Sequence, residues 1–191
     1  MPTEPRKIDN SSQGCWGNRF ILSAIIQGAV ITILTLIIIG FQQTSSNINI
    51  IQYLSLTFDG PSKWFFLGYI FYLILIVAIA VTAVFYLHLE IHMGKKITGI
   101  KSVLAGIHLL GMNIGGAGTT IVMIYAGLAG SGILDVVLYG TTLGTSSTIN
   151  INSNVDIMVQ FIVPISGFAG LLSIGVISGG LTYILTFFKR S

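Results

Sequence analysis

The sequence predicts an all-α integral membrane protein, a four-helix bundle with both termini cytoplasmic. Three observations predict it: a scarcity of charge, four long apolar runs, and a one-sided distribution of basic residues. Only 8% of the 191 residues are charged, against about 25% in an average soluble domain. Mean hydropathy is +0.88. Nine Lys and Arg against six Asp and Glu leave a net charge of +3, but the basic residues sit at helix ends, a pattern for a membrane surface and not for nucleic acid. The single cysteine, Cys15, excludes an internal disulfide and a thiolate metal cluster.

Met1 to Asn18 is polar, with Pro2, Pro5, Arg6 and Lys7, and reads as a short disordered cytoplasmic tail. The first helix is predicted over about residues 20–41. That run is too long for a signal-peptide core and no small-residue cleavage pattern follows it, so a retained helix is expected. Gln27 is its one strongly polar side chain and reads as interhelical glue. A polar loop with the turn signal Asp59-Gly60-Pro61 leads to the second helix, about 64–89. Trp64, Phe65, Phe66, Tyr69 and Tyr72 crowd its start, as aromatic residues do at a lipid–water boundary. A short basic connection with Lys95, Lys96 and Lys101 follows.

The third helix, about 102–130, is the stretch around which the chain is organised. From Ser102 to Leu134 there is no Asp, Glu, Lys or Arg, long enough to span a bilayer with turns to spare. It nevertheless carries His108, Asn113, Thr119 and Thr120 among four glycines between Gly111 and Gly118. The fourth helix is predicted over about 157–188, interrupted by Pro164 and closed by Lys189-Arg190-Ser191. With the N-terminus inside, eight basic residues fall on the inner side and only Lys63 outside. This is the positive-inside bias, and it requires an even number of helices.

The segment Phe85 to Gly130 resembles the C-terminal transmembrane region of haem-copper oxidase subunit I. The residues that carry the likeness are Phe85-Tyr86-Leu87, Gly94-Lys95-Lys96, Ile107-His108, Gly111-Met112-Asn113 and Ala126-Gly127-Leu128-Ala129-Gly130. The resemblance implies membership of a respiratory or redox-linked membrane complex. It does not extend to the family's cofactors: Trp64 to Ile76 lacks the histidines that would hold haem, and Ser131-Gly132-Ile133-Leu134 stands where the family has propionate-holding arginines.

Three histidines remain to be placed. His88 and His92 are four apart and so share a helix face, where they could touch one metal; His88 and His108 could hold a b-type haem. Against this, His88 and His92 fall at the wet end of the second helix, where an imidazole costs little. His108 lies inside the apolar run and is expected to bond a backbone carbonyl or Asn113. Gly111, Gly115 and Thr119 recur every four residues, as do Gly175 and Gly179, making two close-packing faces. At least one of these faces is expected to meet another integral membrane subunit. No Asp or Glu falls inside any predicted helix, which weighs against a proton-coupled transporter. No nucleophile–base set and no phosphate loop are present. The expectation is therefore a non-catalytic integral subunit of a larger membrane complex, without haem or metal. A small haem or metal protein, or a small transporter or channel, stands as the alternative.

Overall fold

The computed structural model describes residues 15–44, 60–134 and 151–188; the predicted tail to residue 14 and most of the two polar loops predicted after the first and third helices lie outside them. Four helices are long and apolar enough to cross a membrane. They are α1 (Cys15–Thr44), α2 (Ser62–His92), α3 (Ile100–Gly130) and α4 (Ile151–Phe187). No strand occurs among the described residues.

The helices run antiparallel to their neighbours in sequence. Phe20 of α1 stacks on Tyr86 near the end of α2, and Thr35 bonds Tyr69 near its start. Gly127 of α3 abuts Phe65 of α2, and Gly111 of α3 abuts Gly175 of α4. α3 is the middle of the array, packed by α2 on one side and by α4 on the other, while α1 lies chiefly on α2. Half of the most apolar window of α3 is buried, against 11% in α1 and in α4. The remaining apolar surface of those two helices is what a bilayer would cover.

Three boundaries differ from expectation. Residues 15–18, predicted as tail, form the first turn of α1. α2 does not stop at Leu89 but adds a π-helical turn, His88–His92, which takes Glu90 into the helix. It ends at Gly94, whose φ of 60° is the left-handed cap that closes a helix, with Lys95 N–H returning to the Leu89 carbonyl at 3.0 Å. α4 starts earlier than predicted, at Ile151, and Pro164 sits inside it without ending it. A proline inside a spanning helix is tolerated where neighbouring groups re-satisfy the freed backbone.

α3 has a second π-helical turn, Gly111–Gly116. Its two flanks are lined with glycine for different neighbours. Toward α4, Gly111, Gly115 and Gly118 would each drive an added Cβ into Gly175, Leu172 and Phe168 respectively. Toward α2, Gly116 and Gly127 lie against Leu75 and Phe65, and Gly68 of α2 returns the approach against Thr120 and Ile124. Gly118, three residues after Gly115, adds a glycine to the expected stripe of Gly111, Gly115 and Thr119. Thr119 keeps its hydroxyl on its own helix, bonded to the Gly115 carbonyl at 2.7 Å.

Candidate functional site

Two groups of polar side chains lie between the helices. The first joins α1, α2 and α3. Asn113 Oδ1 accepts from Gln27 Nε2 at 2.9 Å and from the Ser23 hydroxyl. The Tyr72 hydroxyl donates to Gln27 Oε1. Asn113 Nδ2 donates back to the Leu109 carbonyl at 2.8 Å, giving that acceptor a partner where the winding of α3 changes. Every side-chain amide oxygen in the group is thus engaged, as a low-dielectric setting demands. Gln27 is interhelical glue, as its isolation in an apolar run suggests.

The second group surrounds His108. The ring is buried, with 7% of its surface exposed. Its Nδ1 pairs with the Tyr86 hydroxyl at 3.3 Å. This is neither the backbone carbonyl nor the Asn113 partner expected. Phe20 lies 5.1 Å away between ring centres, and Gly179 of α4 passes so close that a Cβ there would run into the imidazole. The Thr182 hydroxyl of α4 is buried and donates to the Ser178 carbonyl of its own helix at 2.8 Å. His108 is thus gripped by residues of all three other helices.

Beside it a cleft opens between α2 and α4, with α3 as its floor. Its volume is about 540 Å³. Ala78, Thr82, Phe85 and Tyr86 line it from α2, His108 and Met112 from α3, and Val176, Gly179, Gly180, Tyr183 and Ile184 from α4. Phe85 and Tyr183 meet edge to face across it at 6.0 Å. Phe85, Val176 and Ile184 are about half exposed, so the cleft gives onto the apolar surface of the protein.

The structure does not bring the three histidines together. His88 and His92 stack on each other, 5.4 Å between ring centres, and both are exposed. Tyr86 points at His108, and His88, two residues on, is turned by about 200° to another face of α2. Among the described residues no three His, Cys, Asp or Glu side chains cluster as a metal site would require.

The last turn of α2 and the connection that follows it hold both outer helices by their ends. Glu90, 9% exposed, accepts from the backbone N–H of Trp16 at 3.2 Å and of Gly17 at 3.1 Å. It is an anion at the positive end of α1. Lys95 Nζ donates to the Phe187 carbonyl, a cation at the negative end of α4. Sequence reasoning missed both, because the partners lie 74 and 92 residues away.

Compared with family models, with curated proteins and with solved structures, the chain finds no match in any of the three.

Proposed function

We propose that the chain is a non-catalytic subunit of a larger membrane complex, seated in the cell membrane with both termini cytoplasmic. The observation that supports this is the outward side of α4. Gly167 and Gly170 are exposed there, with nothing within 4 Å of a Cβ added at either, next to the exposed Ser166 and Ser173. A glycine facing acyl chains adds no packing and weakens the helix, whereas small residues count where a second helix comes close. The two glycine faces read from the sequence, Gly111 with Gly115 and Gly175 with Gly179, are taken up inside the chain: Gly111 meets Gly175, Gly115 meets Leu172, and Gly179 meets His108. A partner subunit would therefore dock on the Gly167–Gly170 side. The orientation rests on the eight-to-one basic asymmetry. The assignment to a redox-linked complex rests on the likeness of Phe85 to Gly130 to oxidase subunit I.

The alternatives draw less support. A haem shared by His88 and His108 needs one iron within reach of both rings, whereas His108 meets Tyr86 and His88 stacks on His92 at another face of α2. A proton-coupled transporter needs a free carboxylate in a spanning helix, and Glu90 is committed to the α1 backbone.

The test is extraction in a mild detergent followed by a native gel. The wild-type chain should run with other integral membrane polypeptides, and Gly170→Leu should release it. A wild-type chain that runs alone, unchanged by Gly170→Leu, overturns the reading.

A further inference from the structure

We infer that the cleft between α2 and α4 is a binding site for a membrane-dissolved lipophile carrying a flat ring and one hydroxyl, of the alkylphenol type. The inference is independent of whether the chain has a partner subunit.

The size and lining fit a small-molecule site. Such sites are typically about 300–1,000 Å³, mostly apolar, with a few polar groups that set orientation, and they occur between the helices of bundles. This cleft is about 540 Å³. It follows α2 from Ala78 to Tyr86 and α4 from Val176 to Ile184, which is about 12 Å along each helix. Its side walls are apolar and about half exposed at Phe85, Val176 and Ile184, so a ligand enters from the hydrocarbon phase and not from water.

The ring is argued from the walls. Phe85, Tyr86 and Tyr183 bring three aromatic faces to one cavity, and Phe85 and Tyr183 already stand edge to face at 6.0 Å. A flat ring can stack or pack edgewise there. Gly179 and Gly180 keep the α4 wall low.

The hydroxyl is argued from His108. The imidazole is buried and lines the cavity, yet only Nδ1 has a hydrogen-bond partner among the described residues, the Tyr86 hydroxyl at 3.3 Å. The remaining ring nitrogen is a donor in one tautomer and an acceptor in the other. Left against acyl chains it would be an unpaired polar atom in hydrocarbon, which is costly. A hydroxyl satisfies it in either tautomer, because it both donates and accepts. His108 lies eight residues into α3, about 12 Å from its start, so the polar head of such a ligand would sit shallow in the membrane with its tail running toward Ala78, Met112 and Val176.

The experiment uses the full chain in phosphatidylcholine nanodiscs and radiolabelled 4-octylphenol as probe, with octylbenzene as the competitor that lacks the hydroxyl. Saturable binding of one probe per chain is expected, with octylbenzene competing at least tenfold more weakly. Gly180→Leu places bulk in the cleft lining without a clash at its Cβ, since nothing lies within 4 Å of a Cβ added there, and should weaken binding at least tenfold. His108→Gln should erase most of the preference for phenol over octylbenzene. Non-saturable uptake, equal competition by octylbenzene, or unchanged binding in Gly180→Leu overturns the inference; equal competition would mark a crevice for acyl chains alone.

Discussion

Glu90 caps α1 from 74 residues beyond Trp16: its carboxylate accepts from the backbone N–H of Trp16 at 3.2 Å. The same carboxylate reaches Gly17 N–H at 3.1 Å. α1 thus starts where α2 ends, and a side chain from the last turn of α2 satisfies two otherwise orphaned donors in the first turn of α1. Glu90→Ala should cost about 1 kcal/mol, the usual loss for a removed helix cap. Glu90→Gln keeps an acceptor but loses the charge–dipole part and should cost less. Denaturant titration in mixed micelles gives the magnitudes, and hydrogen exchange at Trp16 and Gly17 should rise in both variants. Unchanged exchange at these two amides would show that the cap is not needed.

The contact between α3 and α4 predicts an asymmetry between glycines. A side chain at Gly115 meets the backbone of Leu172, which cannot move aside as a side-chain end can. Gly115→Leu should destabilise the fold by about 2 kcal/mol or more, in the range of overpacked cores. Gly170 faces outward with open space, so Gly170→Leu should leave unfolding in micelles unchanged. Equal effects of the two substitutions on unfolding would contradict the packing described.

The amide group around Asn113 should behave as a unit. Asn113→Leu strands Gln27 Nε2 and the Ser23 hydroxyl. Interhelical hydrogen bonds in membranes average about 0.6 kcal/mol with a maximum of about 1.7, so a loss of about 1–2 kcal/mol is expected. A double-mutant cycle of Asn113→Leu with Gln27→Leu should show coupling, because removing both partners leaves fewer orphaned groups than removing one. Strict additivity would mean that the two side chains do not depend on each other.

Orientation is open to labelling. Single cysteines at Ser45 and Ser147 should react with an impermeant thiol reagent added outside intact cells, and one at Lys96 should not. The expectation follows from the eight basic residues on the Lys96 side against Lys63 alone on the other. Reaction at Lys96 but not at Ser45 would invert the topology.

The separation of the histidines predicts an absorption spectrum. With His88 paired to His92 on an exposed face and His108 paired to Tyr86 inside, purified protein should show no stoichiometric Soret band. A band that disappears in His108→Ala would restore the haem reading.

What the sequence determined by itself is the membrane class, the number of spanning helices and the middle stretch around which they gather. Those features are local or additive. A bilayer demands about 20 apolar residues per crossing, and four such runs stand out between 15 charges. Only the tertiary structure decided what the polar and small residues in those runs touch. Gly111 and Gly175 look like two free faces along the chain and prove to be the two sides of one contact. The four-residue spacing marks Thr119, whereas Gly118, three residues from Gly115, is the next glycine that comes against α4, at Phe168. His108 reads as one of three candidate ligands, and the fold sets it apart from the other two by giving it Tyr86. Glu90 reads as a loop charge until the start of α1 is brought against it. The physical reason is common to all of these. Hydropathy sums over neighbours in sequence, whereas a hydrogen bond or a close backbone approach depends on which distant helix arrives, and at what rotation.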